Sequence, residues 1–156
     1  MYLVKEKINL GEILENIDFS SGKDGSIIVF TGVVRRDRKR NGTFVKKIFY
    51  DAYEPMAEKE IQKIVDEAKR NFKVDEIIVK HRIGYVDVGE ISFLVIVLSP
   101  HREEGFNAIK FIIDEVKRKA PIWKKEILSN GEEIWKQTNN NNNEQVKEEW
   151  EKRNKI

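Results

Sequence analysis

Two lysines stand either side of a helix-breaking proline in Lys117-Arg118-Lys119-Ala120-Pro121-Ile122-Trp123-Lys124. Amines placed this way suit binding of an anion and movement of protons beside it. Lys117 follows Val116 and stands one turn after Ile113, so its stem can run along a buried stripe while its amine reaches a cleft. Lys124 lies past the proline in a predicted strand, where Trp123 and Ile127 take one face and Lys124, Glu126 and Leu128 the other. The two amines can converge, although a lone lysine in so lysine-rich a chain is more often solvated surface. His101 and Arg102 fall between the end of an apolar strand and a helix start, where backbone amides and the helix dipole favour anions. Arg102 adds a planar fork of donors suited to phosphate or carboxylate. Arg35 heads the basic run 35–40 and, being nearest a strand end, is the best site candidate in it. His81 shares strand register with Ile77, Val79 and Ile83 on an apolar face, which predicts a structural role.

These positions depend on elements that the apolar periodicity outlines. A strand is predicted over residues 2–8, and a short helix after it, with Asn9 as its cap and Glu12 placed to answer. Residues 26–34, apolar on both faces, predict a strand central in a sheet, and residues 43–53 a partner that forms a long hairpin with it. Pro55 opens a long amphipathic helix whose stripe is Ile61, Ile64, Val65, Ala68 and Phe72. Strands are expected at 77–83 and 90–98, with a turn-rich link over 84–89. Phe106, Ile109, Ile112, Ile113 and Val116 keep the helical period until Pro121 ends it. Ser129-Asn130-Gly131 then joins two short strands in a hairpin. The sum is an α+β domain with mainly antiparallel strands over residues 1–138. Residues 139–156 read as an Asn-rich linker and a charged tail, in which Val146 and Trp150 would share one helical face.

Composition narrows the function classes. The chain has 29 basic and 27 acidic residues, a net charge of +2, so the surface is mixed rather than polycationic. The Arg35 to Arg40 run leaves a nucleic-acid-binding α+β module as an alternative, but no long nucleic-acid track is implied. With 0 Cys, disulfides and thiolate metal sites are excluded. No Walker glycine loop, serine nucleophile elbow or zinc-ligand pair is present. Charge enters the first residues before a signal-like apolar region can form, and no later segment is apolar enough to span a bilayer, so the expected location is the cytoplasm.

Taken together, Phe30-Thr31-Gly32-Val33-Val34-Arg35, Tyr53-Glu54-Pro55-Met56, His81-Arg82-Ile83-Gly84, Ser99-Pro100-His101-Arg102 and the lysine stretch 117–126 closely resemble the large, catalytic subunits of molybdopterin synthase. The resemblance runs in order over residues 25–135. It implies an α+β fold of the α/β-hammerhead type with a small β subdomain. It also implies a sulfurtransferase of molybdenum cofactor biosynthesis. Such an enzyme converts cyclic pyranopterin monophosphate, or precursor Z, into the molybdopterin dithiolene. The sulfur would arrive on a ubiquitin-like small subunit as a C-terminal Gly-Gly thiocarboxylate, around a homodimer of large subunits in a heterotetramer. A chain with no thiol cannot hold the sulfur itself, which agrees with that division of labour. By motif position Lys117 and Lys124 resemble the catalytic lysines, and Arg35, His101 and Arg102 the substrate-binding anion pocket; no cofactor or metal is implied. Family members offer a basic residue after the final hairpin toward the neighbouring subunit, and here Trp135-Lys136-Gln137-Thr138-Asn139 retains Lys136 alone. A noncatalytic adaptor for a ubiquitin-like protein is the remaining alternative.

Overall fold

The computed structural model describes residues 1–136 together with Glu148 and Lys152. The expected linker and tail, including the proposed face of Val146 and Trp150, otherwise lie outside the described residues. In chain order the elements are β1 (Leu3–Val4), α1 (Leu10–Glu15), β2 (Ser26–Val33), β3 (Val45–Ala52), α2 (Glu54–Asn71), β4 (Glu76–Arg82), β5 (Gly84–Asp87), β6 (Ile91–Ser99), α3 (Arg102–Lys119), β7 (Ile122–Leu128) and β8 (Glu133–Trp135). They build two sheets, ordered β1-β4-β6-β2 and β5-β3-β7-β8. All pairings but the short parallel β1–β4 contact are antiparallel.

β6 is the centre of the first sheet because both of its faces are apolar. Phe93, Val95 and Val97 join the core under α2 and α3. Leu94, Ile96 and Leu98 form a second cluster with the apolar residues of α1. Asn9 caps α1 by accepting a hydrogen bond from the Glu12 amide at 3.1 Å. The buried stripe of α2 is Ala57, Ile61, Ile64, Val65 and Ala68, and that of α3 is Gly105, Ala108, Ile109, Ile112 and Val116. α3 ends where Ala120, the residue before Pro121, turns to extended backbone with ψ 128°. Val34, Val45, Ile48, Tyr50, Val86 and Leu128 make the smaller core of the second sheet.

The structure corrects four expectations. Residues 2–8 yield only the two-residue β1. β2 is an edge strand, not a central one, because β6 is the more completely apolar strand and takes the middle. β2 keeps Ile28 and Phe30 against the core while Ile27, Val29 and Val33 remain exposed at 45%, 38% and 46%. β2 and β3 are not hairpin partners: β2 pairs with β6 along its length, and β3 pairs with β5 and β7 in the other sheet. The link at 84–89 contains β5, framed by Gly84 and Gly89 with φ of +94° and +87°. The glycines were sound turn signals, and the strand between them was too short to register.

Candidate functional site

A pocket of about 550 Å³ opens where the two sheets meet the C-terminal end of α3. Each part of the fold brings something to it. Gly32 and Val33 come from β2, Ser92 and Phe93 from β6, His81 from β4 and Tyr50 from β3. The last turn of α3 supplies Lys117 and β7 supplies Lys124; Arg35 reaches it from just beyond β2 and Lys136 from just beyond β8. Thus Lys117, Lys124 and Arg35, chosen from the sequence, are brought together. Among the described residues, Arg35, Lys117, Lys124 and Lys136 are the charged groups of the lining, and no carboxylate is with them. Arg35 pairs with Asp37 at 3.4 Å and Lys136 with Glu126 at 3.7 Å, but both carboxylates stand outside the lining, and a concave site of this size walled by cations favours an anionic ligand.

Local geometry decides which cations face the pocket. Arg118 and Lys119 are both drawn to Glu115, each at 2.9 Å, on another side of α3. Lys117 has no ion pair among the described residues and lines the pocket. In the β3–β7 ladder Tyr50 stands opposite Lys124 and Ile48 opposite Glu126, so these two of the three charged residues of β7 share the inner face and Lys125 takes the other, as the alternation predicts. Burial pushes the Lys124 ammonium below the ordinary lysine range; Glu126 opposes the shift, and the charges of Lys117, Lys136 and Arg35 add to it. Buried Glu126 gathers Lys39 at 2.8 Å and Lys136 at 3.7 Å. The main chain of Lys136 is tied in as well, its amide donating to the Lys124 carbonyl at 2.9 Å.

His101 and Arg102 do not join this pocket within one chain. They are exposed at the N-terminal end of α3, and Lys117 is in its last turn, about 22 Å away along the axis at the usual helical rise. Sequence proximity to a helix start could not reveal that the other site residues collect at the opposite end. His101 caps the helix with backbone alone, and its carbonyl accepts from the Ser99 hydroxyl at 2.7 Å. The basic run beyond Arg35 folds back on the body: Lys39 goes to Glu126, and Arg36 lies over the Phe44 ring at 5.6 Å.

His81 is buried, as its register implied, but it also lines the pocket, as do Tyr50, Ser92 and Phe93. None of these four was a candidate for the site. Tyr50 and Ser92 carried no local signal, because only the meeting of two sheets brings them together. Lys136 was visible as the retained basic residue after the final hairpin. Among the described residues no group of three or more His, Asp or Glu is placed to hold a metal ion. No helix among them is long and apolar enough to cross a membrane.

Comparison with known proteins gives consistent matches. The family model described as MoaE protein matches residues 3–119. The molybdopterin synthase catalytic subunit of Pyrococcus abyssi is 40% identical over 127 residues, covering 81% of this chain and 83% of that protein. That of Thermoplasma volcanium is 42% identical over 111 residues, covering 71% and 80%. Among solved structures, molybdopterin synthase from Staphylococcus aureus superposes with a TM-score of 0.76 at 35% identity, over 87% of this chain and 96% of that one. A complex of subunits 1 and 2 of molybdopterin-converting factor from Helicobacter pylori has a TM-score of 0.72 at 23% identity, over 89% and 91%, which is likeness of fold.

Proposed function

The chain belongs to the MoaE family of molybdopterin synthase catalytic subunits, and on that premise we propose that its pocket transfers sulfur to cyclic pyranopterin monophosphate to form the molybdopterin dithiolene. The observation that carries this reading is the convergence of Lys117, Lys124, Arg35 and Lys136 on one pocket with no lining carboxylate among the described residues. The substrate brings a phosphate, and the sulfur donor, the thiocarboxylate terminus of a ubiquitin-like small subunit, is also anionic. Cations fixed in a partly desolvated site hold both reactants and stabilise negative charge as sulfur attacks the pterin side chain. Lys117, at the end of α3, faces the carrier's tail, and Lys124 orients the pterin. Each transfer forms a carbon–sulfur bond on the pterin and, once water has taken the place of sulfur, leaves the carrier terminus a carboxylate.

The working unit in this reading is a homodimer carrying two small subunits. β2 is an unpaired edge that exposes Ile27, Val29 and Val33. Two copies joined antiparallel along β2 would set Ser26 of one near Val33 of the other. Ser26 pairs with Ser99, two residues before His101, so this arrangement carries His101 and Arg102 toward Arg35 of the neighbour. Both residues then serve as substrate-binding groups across the dimer.

The test mixes the protein with thiocarboxylated small subunit and cyclic pyranopterin monophosphate and measures dithiolene product. Product with the wild type and a fall of about 100-fold or more with Lys117→Ala or Lys124→Ala, at unchanged thermal stability, is expected. Absence of product with verified components would reject the enzymatic reading in favour of a noncatalytic adaptor.

A further inference from the structure

Among the described residues, every charged group that lines the pocket is a hydrogen-bond donor and nothing else. Arg35, Lys117, Lys124 and Lys136 have no acceptor atom, and Trp123 adds only an indole N–H. The hydroxyls of Ser92 and Tyr50 lie beside each other, and that of Ser92 donates to the Gly32 carbonyl at 3.3 Å. A hydroxyl can both give and take a hydrogen bond, so neither discriminates. His81 is different. Its Nδ1 lies 2.7 Å from the Arg82 carbonyl, which can only accept, so Nδ1 carries the proton and Nε2 is left with a lone pair. The bond to the Arg82 carbonyl uses Nδ1 alone, and His81 is one of the residues that line the pocket.

The ring is held rigidly. Tyr50 meets it edge-on with centroids 5.1 Å apart, and Phe93 lies against it at 5.3 Å. The backbone N–H of His81 donates to the Tyr2 carbonyl at 2.8 Å, which anchors β4 at that point. Burial holds the imidazole pKa down to about 4, with the Arg82 carbonyl opposing and Lys124 and Lys117 adding to the shift. The ring is therefore neutral at physiological pH. With Nδ1 committed to the Arg82 carbonyl, Nε2 is the one acceptor-only side-chain atom among the described residues of the lining.

We infer that Nε2 of His81 is the acceptor that reads an N–H of the bound heterocycle while the surrounding cations hold its phosphate. This rests on the proposed pterin substrate, whose ring system carries N–H donors. It makes His81 a specificity-determining residue. A phosphate ester with no N–H at that position would leave Nε2 without the donor that the pterin supplies, and a site built to satisfy a hydrogen bond rejects the analogue that lacks it.

The chain has 2 histidines, so nitrogen-15 labelling of histidine gives a spectrum that His81→Gln assigns by the loss of one set of signals. Cyclic pyranopterin monophosphate should move the Nε2 signal of His81 to the hydrogen-bonded position and leave Nδ1 in place, whereas inorganic phosphate alone should move neither. Pterin binding, followed by tryptophan fluorescence, with Nε2 unmoved would overturn the inference and leave the cationic pocket standing. An equal shift with phosphate alone would also overturn it, as an effect of charge. Failure of the pterin to bind at all would remove the proposed substrate and this inference with it. In turnover, His81→Phe should raise KM for the pterin about 10-fold with a much smaller effect on kcat. His81→Gln, whose side-chain oxygen can reach toward the place of Nε2, should recover part of that loss. Equal KM values for the two variants would count against the hydrogen bond.

Discussion

The Nζ of Lys39 lies 2.8 Å from Oε1 of Glu126, and this contact ties the basic loop after β2 to the strand that carries Lys124. Glu126 is 6% exposed and Lys39 29%, so the pair is better shielded than a surface bridge but still partly wet. Glu126→Gln should therefore cost about 1–2 kcal/mol in urea unfolding. An unchanged midpoint would show that the loop does not depend on this carboxylate.

The same substitution reaches the chemistry of Lys124. Glu126 is the group that opposes the downward shift of the Lys124 ammonium, so Glu126→Gln should lower that pKa further. More of the neutral amine would be present at mildly alkaline pH. Mass-spectrometric mapping should find Lys124 acetylated faster in the variant than in the wild type, and faster in both than exposed Lys110 at pH 8. A slower Lys124 in the variant would contradict this electrostatic account.

His81 makes stability depend on pH with a definite sign. Its pKa is about 4 in the fold against 6.5 in the unfolded chain, so the unfolded chain binds more protons between those values. The stabilisation is complete above pH 6.5 and is lost as pH falls toward 4. The span corresponds to about 3 kcal/mol. Urea titrations between pH 7 and pH 4.5 should show a shallower loss for His81→Phe than for the wild type. Parallel slopes would mean that another group controls the acid limb.

Gly105 lets α3 pack close to the first sheet. A Cβ there would stand 2.7 Å from Ser99 Oγ and 2.8 Å from Ile28 Cδ1. Gly105→Ala gains helix propensity but forces α3 away from β2 and β6, so a net loss of about 1–3 kcal/mol is expected by thermal unfolding. A stabilised variant would show that the helix shifts without cost.

The proposed dimer predicts complementation. Val29→Lys places a charge on the β2 edge and should give a monomer by sedimentation with little activity. Lys117→Ala and Arg102→Ala, each inactive alone, should regain about a quarter of wild-type activity when coexpressed, because half the dimers are mixed and each mixed dimer keeps one intact site. No recovery would place Arg102 outside the neighbour's pocket.

Local chemistry was enough to reveal much of this molecule. The Asn9 cap, the stripe of α2, the stop at Pro121 and the alternation of β7 all depend on near neighbours in the chain and are found. The α3 stripe is shifted: Ile109, Ile112 and Val116 are buried with Gly105 and Ala108, and Phe106, expected in it, is 56% exposed because the small residues face the sheet. The spacing of Lys117 and Lys124 allowed their amines to converge, the family resemblance singled them out, and both line the pocket. Strand order was not legible, since β2 and β6 are both apolar and only competition for burial puts β6 in the middle. The separation of His101 and Arg102 from Lys117 likewise depends on the length and direction of α3. Tyr50, His81, Ser92 and Phe93 meet only because two sheets close on each other. The sequence by itself determined the charges and the elements that bear them. The tertiary structure alone decided which charges share a pocket and placed an acceptor among them, because that depends on packing between residues far apart in the chain.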